Sequence, residues 1–221
     1  MKKGFLLSIA IITLFSCGRQ MYETSDYDRL AQSHQVLAVL PAELITTGRI
    51  PKELTDEDIL AIENSESKAF QISLYHQLAR ISGYRLNINF QHYNETNSRL
   101  KAAGISIRDS WQMSPKKLAD ALGVDAVVHS TVEKEFYLTN LESFGVHVGT
   151  AILGIFTKNS FYHLGSNRTS DVLVSCEIID GEEGLPIWAS HSNSPTYWNR
   201  PHREVVDQLT RRMCRRFPYR N

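Results

Sequence analysis

Several things are scarce in this chain of 221 residues, and each scarcity closes a class of function. The longest apolar run near the start, from Phe5 to Phe15, is about half the ~20 residues that a spanning helix needs, so it does not cross a bilayer comfortably. There is no excess of positive charge: 24 Lys and Arg balance 24 Asp and Glu, which excludes bulk attraction to nucleic acid. The eight histidines (His34, His76, His92, His129, His147, His163, His191 and His202) show no His-Glu-x-x-His spacing and no pairing with cysteines at metal-ligand distance. A Gly-x-Ser-x-Gly elbow, a Gly-x-x-x-x-Gly-Lys phosphate loop and a dinucleotide fingerprint are all missing. Neither a metal nor a cofactor is therefore expected, although a catalytic group assembled from distant positions leaves no local motif. The carboxylates of Glu182 and Glu183 read as solvated loop groups, and Glu133 and Glu135 as alternating polar positions on a strand.

What is present is a foldable globule behind an address label. With 42% hydrophobic, 22% charged and 10% aromatic residues and no long low-complexity tract, the chain can bury a core. Lys2 and Lys3 precede the apolar stretch, which sits in "LLSIAIITLFSCGRQ" (residues 6–20) and ends in Leu14, Phe15, Ser16 and Cys17. This ending resembles the lipobox of bacterial lipoproteins, with Phe15 bulkier than the pattern usually carries. The resemblance implies a diacylglycerol thioether on Cys17, cleavage before it and acylation of the new amino terminus; two or more acyl chains anchor stably where one is marginal. Residues 1–16 are then a lipoprotein signal peptide, 17–34 the lipidated Cys17 with a flexible tether, and 35–221 a single α/β domain with an insertion at about 133–170. Gly18 follows Cys17 where inner-membrane retention calls for Asp, and no acidic run follows, so the expected location is the periplasmic side of the outer membrane. Cleavage removes Lys2 and Lys3 and leaves 22 basic against 24 acidic residues.

Along the domain the pattern alternates strand and helix. Residues 35–41 form an apolar run stopped by Pro41, as for a strand buried on both faces. From Ser67, the residues Phe70, Leu74, Leu78 and Ile81 recur at helical spacing, with Gly83 placed to cap. Residues 85–90 alternate, putting Leu86, Ile88 and Phe90 on one face of a half-exposed strand. Short helices are expected at 97–103, ended by Gly104, and from Pro115, whose stripe of Leu118, Ala119 and Leu122 ends at Gly123. A central strand follows at 124–129, then strands at 171–179 and 186–190 joined by a glycine-flanked loop, and a closing helix at 204–216. This order predicts a mixed β-sheet flanked by helices, with an extended β-hairpin insertion. Cys176 alternates with Val172, Val174 and Ile178, whereas Cys214 flanks a helix striped by Val205, Leu209 and Met213, which favours two separate thiols over a bridge.

The segments "VLAVLP", "LADALGVDAVVHSTV" and "VLVSCEIIDGEEGLPIWAS" resemble recurring blocks of a bacterial lipoprotein superfamily. It contains LpoB-type activators of penicillin-binding proteins and CsgG curli-secretion lipoproteins, and its fold is similar to the amino-terminal domain of TolB. The matching positions are Pro41, Gly123, Asp125, Asp180, Gly184 and Trp188, and all read as structural: Pro41 ends a strand, Gly123 caps a helix, Asp125 closes a helix-to-strand turn and Trp188 fills a core. The departure is the long connection from Glu133 to Ser170. Within it, the arm at 144–156 alternates apolar with small or polar residues, which fits a hairpin packing on the domain or on a second copy, a pore-forming hairpin, or an arm for oligomerisation or partner capture.

The carboxyl end gathers Arg200, Arg203, Arg211, Arg212, Arg215, Arg216 and Arg220 among Tyr197, Trp198, Phe217 and Tyr219. Two readings stand. One is a basic and aromatic patch, with Arg211, Arg212, Arg215, Arg216, Tyr197 and Trp198 meeting an anionic partner; the other is a helix end offsetting its dipole. The function that follows is a non-catalytic outer-membrane lipoprotein that docks on another envelope protein, with homo-oligomerisation open. The alternatives are an oligomeric component of a curli-type secretion complex and an unrecognised periplasmic hydrolase.

Overall fold

Ala126, Val127 and Val128 are shielded from solvent on both sides of the chain, and the fold is organised around them. The computed structural model describes residues 21–48, 55–136, 168–197 and 202–220. In chain order the elements are β1 (Met21–Glu23), α1 (Tyr27–Ala31), β2 (Val36–Val39), β3 (Glu43–Gly48), α2 (Asp56–Ala79), β4 (Asn89–Gln91) and α3 (Tyr93–Ala102). They continue with α4 (Ile107–Gln112), α5 (Pro115–Leu122), β5 (Ala126–Phe136), β6 (Arg168–Asp180), β7 (Pro186–Tyr197) and α6 (His202–Arg216). The sheet runs β1-β7-β6-β5-β2-β4, with β3 also paired to β5. The pairs β2·β4, β2·β5 and β3·β5 are parallel, and β5·β6, β6·β7 and β1·β7 antiparallel. The architecture is thus the mixed α/β sheet with flanking helices that the pattern predicts.

The central position of β5 follows from its near-continuous apolar start, which suits a strand covered on both faces. Val128 and Val132, with Val174, Ile178 and Trp188 from the neighbouring strands, face α2 and α6 and meet Phe70, Leu74, Leu78, Leu209 and Met213. On the other face Ala38, Leu40, Val127 and Ile179 meet Leu100, Leu118, Ala119 and Leu122 from α3 and α5. Trp188 is wholly buried with its ring 5.5 Å from that of Phe217. Both Cys176 and Cys214 are free and buried, as the separate-thiol reading expects.

Four expectations are corrected. Residues 21–34 are not a patternless tether: β1 pairs with 188–190 of β7, and α1 sends Leu30 into the core. Their polarity reflects an edge strand with all three residues exposed. The long helix starts at Asp56 rather than near Ser67, because Thr55 and Asp58 form a capping box and the acidic first turn suits the helix dipole. Its opening turns are mostly solvent-facing and carry no stripe. The strand expected at 85–90 pairs only over Asn89–Gln91. Leu86 and Ile88 are buried as the alternation predicts, but the Asn87 N–H donates to the Tyr219 carbonyl (2.8 Å) instead of a ladder. Lastly, the connection between β5 and β6 is shorter than 133–170, since the two strands stay paired out to Phe136 and Ser170. The arm at 144–156 lies outside the described residues.

Candidate functional site

Helices α2 and α6 lie side by side and run the same way. Ser73 Oγ donates to Asp207 Oδ1 (2.7 Å) and sits 2.9 Å from Thr210 Oγ1, and one turn on, the Cys214 thiol donates to the Gln77 carbonyl (3.4 Å). Their carboxyl ends therefore emerge together. After Arg80 the chain turns through Gly83, held at φ +81°, and returns with Arg85 exposed and Leu86 buried. Leu86 in turn bridges to Arg220. The result is a cleft of about 860 Å³ whose walls include Arg80, Tyr84, Arg85, Arg211, Arg215 and Arg220, with Cys214 behind them. Among the described residues no carboxylate lines it.

Magnitudes decide between the two readings of the arginines. Two helix carboxyl ends carry roughly −0.5 charge each, about −1 together, against five guanidinium groups. Arg220 does serve the helix end, donating to the carbonyls of Phe217 (3.3 Å) and Arg215. Arg80 donates to Gln77 Oε1 (2.8 Å), and Arg85 lies 5.6 Å from the centre of the Tyr84 ring. Neither Arg211 nor Arg215 has a side-chain acceptor among the described residues. The dipole accounts for a minority of the charge.

The sequence-expected patch is divided by the helix. Arg211 and Arg215 face the cleft, whereas Arg212 and Arg216 donate to the carbonyls of Asn193 and His191 (3.1 Å each) on β7, beyond the short flank covered by β1. Tyr197 ends β7 opposite Arg168; Trp198 and Arg200 lie outside the described residues, as does Cys17. Phe217 and Tyr219 are not free for a surface patch: Phe217 is wholly buried, and Tyr219 is half-buried against the core. Arg80 and Arg85 were not legible as partners, because they sit in another segment of the chain and no local pattern links them to α6.

Most of the structural positions singled out in the sequence have traceable contacts or backbone roles here. Pro41 lies in the break between β2 and β3, and its carbonyl accepts from Trp111 Nε1 (3.2 Å). Gly123 caps α5 in the left-handed region at φ +62°, where Arg99 Nη1 would meet any Cβ at 2.6 Å. Asp125 does more than close a turn: its Oδ2 accepts the N–H groups of Gln35 (2.8 Å) and Val36 (2.9 Å), fastening the start of β2 to the start of β5. Gly184 sits at φ +70° in the β6·β7 loop. Asp180 is the end of a buried chain: its carboxylate accepts the Glu183 N–H and lies 2.8 Å from His34 Nε2, while His34 Nδ1 is 2.6 Å from the Tyr219 hydroxyl.

Burial, with the neighbouring Tyr27, Asp180 and Asp125 adding to it, pushes the Tyr219 phenol well above its usual range. The hydroxyl therefore keeps its proton, and the Asp180 carboxylate accepts from His34 Nε2–H. Side chains of His34 and Asp180 are 1% and 3% exposed, so this hydroxyl-imidazole-carboxylate series is interior scaffolding. It holds Tyr219 at φ +63°, with the Tyr219 N–H donating to Tyr27 Oη (3.0 Å), and so aims Arg220 at the cleft. Burial also pushes the Tyr27 phenol up to about 12. Cys214 is raised by burial, with Arg80, Arg220 and Arg85 opposing, which disfavours a thiolate nucleophile.

Among the described residues no helix is long and apolar enough to cross a membrane, and no group of three His, Cys, Asp or Glu side chains converges as a metal site. No family model and no curated protein matches the chain. Among solved structures it is similar to the lipoprotein GNA1162 from Neisseria meningitidis, at 14% identity over 82% of this chain and 96% of that one, with a TM-score of 0.46. A PelC dodecamer from Paraburkholderia phytofirmans aligns at 13% identity over 88% and 95% (TM-score 0.40). The LpoB C-terminal domain from Salmonella enterica aligns at 12% over 77% and 93% (TM-score 0.36).

Proposed function

We propose that this chain is a non-catalytic outer-membrane lipoprotein, anchored through Cys17, that docks on and assists another envelope protein in cell-wall synthesis or envelope assembly. The observation that carries the reading is the lipobox-like ending at Cys17 behind Lys2, Lys3 and a short apolar run. Because β1 opens at Met21, only residues 18–20 separate Cys17 from the sheet. Four residues extend over about 14 Å at most, so a lipidated Cys17 holds the β1·β7 edge near the headgroups. Contact with a partner is then made close to the bilayer. The exposed arginines of α6 supply the docking surface.

Mass analysis of the protein from its native membranes is expected to find Cys17 acylated and residues 1–16 removed, and Cys17→Ala is expected to release the chain into the soluble fraction. An unmodified Cys17 in a freely soluble product overturns the anchoring. Photo-crosslinkers placed at Arg211 and Arg215 are expected to trap one envelope protein in intact cells that a crosslinker at Lys101 does not. Sizing in detergent separates docking from a ring, since a many-subunit particle contradicts simple docking.

A further inference from the structure

We infer that the cleft between the carboxyl ends of α2 and α6 is a binding site for a ligand carrying two phosphate groups. Five arginines from two separate stretches of chain, 80–85 and 211–220, line it, and among the described residues none meets a carboxylate on the cleft wall. Two helix ends offset only about one unit of this charge, so the arginines hold several like charges against their mutual repulsion. A single carboxylate would leave most of that charge uncompensated. Each phosphate brings roughly −1.5 to −2 charge and three acceptor oxygens, and two of them match what the helix ends leave over.

Geometry points the same way. Guanidinium forks bind phosphate oxygens in pairs, and arginines arriving from different directions can surround a tetrahedral group rather than a flat one. The volume of about 860 Å³ exceeds what one inorganic anion fills and suits a diphosphate with an organic substituent. Tyr84, 60% exposed on the rim and already beside Arg85, offers that substituent an apolar ring. Arg220 is preset by the interior chain through Tyr219, so part of the site is ordered before any ligand arrives. The inference concerns the described residues alone and stands whether or not Cys17 is acylated. The shared chemistry is the paired phosphate, whose source is either a free diphosphate or a diphosphorylated lipid headgroup.

The test titrates inorganic pyrophosphate into the full chain in detergent by calorimetry at physiological salt, with citrate as a carboxylate control. Saturable pyrophosphate binding is expected, weakened about tenfold or more for each of Arg80→Gln and Arg215→Gln and unchanged in Arg203→Gln, whose side chain is 92% exposed outside the cleft. Far-ultraviolet circular dichroism confirms the fold of each variant, and Arg80→Lys with Arg215→Lys, which keeps the charge, is expected to retain part of the affinity should the Gln variants fail to fold. A vesicle arm uses phosphatidylcholine with or without a glycolipid bearing two phosphate monoesters: glycolipid-dependent recruitment that pyrophosphate reverses assigns the headgroup source, and pyrophosphate binding without recruitment assigns a free diphosphate. No binding in either arm, equal binding of citrate, or binding indifferent to the arginine substitutions overturns the inference.

Discussion

Tyr219 and Arg220 are neighbours in the chain and belong to opposite kinds of polar assembly. Tyr219 joins His34 and Asp180 in an interior series where both hydrogen-bonded atom pairs lie within 2.8 Å and the His34 and Asp180 side chains are almost wholly shielded. Arg220 joins Arg80, Arg85, Arg211 and Arg215 at the surface, where charge of one sign accumulates without a carboxylate to match among the described residues. A satisfied buried network rigidifies a fold, whereas an unsatisfied exposed one raises the local field and waits for something outside the chain. The difference separates what this protein uses to fold from what it offers to a ligand.

The interior side of the comparison breaks most visibly at its carboxylate. Asp180→Ala strands the His34 Nε2–H and the Glu183 N–H at once, and is expected to cost about 3–5 kcal/mol, read from the urea midpoint at unchanged m-value. A loss under about 1 kcal/mol would show the series to be dispensable. Next in size is the adjacent Gly181→Ala, whose new methyl would meet Ala119 Cβ and the Asp125 carbonyl oxygen at 2.6 Å each. A cost of about 1–3 kcal/mol is expected, with pyrophosphate binding preserved in the folded fraction.

A half-buried histidine on the sheet lies between the two extremes. Burial lowers the pKa of His129 from its ordinary 6.5, against the opposing pull of Glu43 and Glu177. The unfolded chain therefore binds more protons at this position, so its contribution is fully present above pH 6.5 and is lost as pH falls through the lower folded-state value. Thermal midpoints measured between pH 7 and pH 5 are expected to fall less steeply in His129→Gln than in the parent chain.

The smallest effects compare the two flanks of α6 directly. Arg212→Gln with Arg216→Gln removes donors from the carbonyls of Asn193 and His191 and is expected to lower stability by at most about 1 kcal/mol. Arg211→Gln with Arg215→Gln removes two like charges that hold no side-chain acceptor among the described residues, and is expected to leave the midpoint unchanged or slightly higher while lowering pyrophosphate affinity. Equal destabilisation by both pairs would erase the distinction between the flanks.

Much of the architecture was readable because burial imposes periodicity. The stripe of Leu118, Ala119 and Leu122 and the stop at Gly123 locate α5, and the two-sided apolar start of β5 marks it as central. What escaped was whatever makes its contacts by backbone rather than by apolar side chains. β1 is exposed along its length, β3 follows a proline as if it were loop, and the first turns of α2 face solvent. The Thr55 and Asp58 capping box was a legible signal for that last boundary. Half of the cleft was legible as an arginine-rich helix end. The other half, Arg80 and Arg85, reaches it only through the parallel packing of α2 on α6, a tertiary fact with no local signature. His34, Tyr219 and Asp180 are scattered in the same way, so the interior series could not be read from spacing.

The mixed strand order also gives folding a direction. β6 and β7 close through a tight loop with little entropy to overcome, whereas β2 must find β5 across an interval such as the 90 positions between Gln35 and Asp125. The antiparallel meander can therefore assemble early as a nucleus, with the parallel edge added late and caught by the Asp125 carboxylate as it arrives.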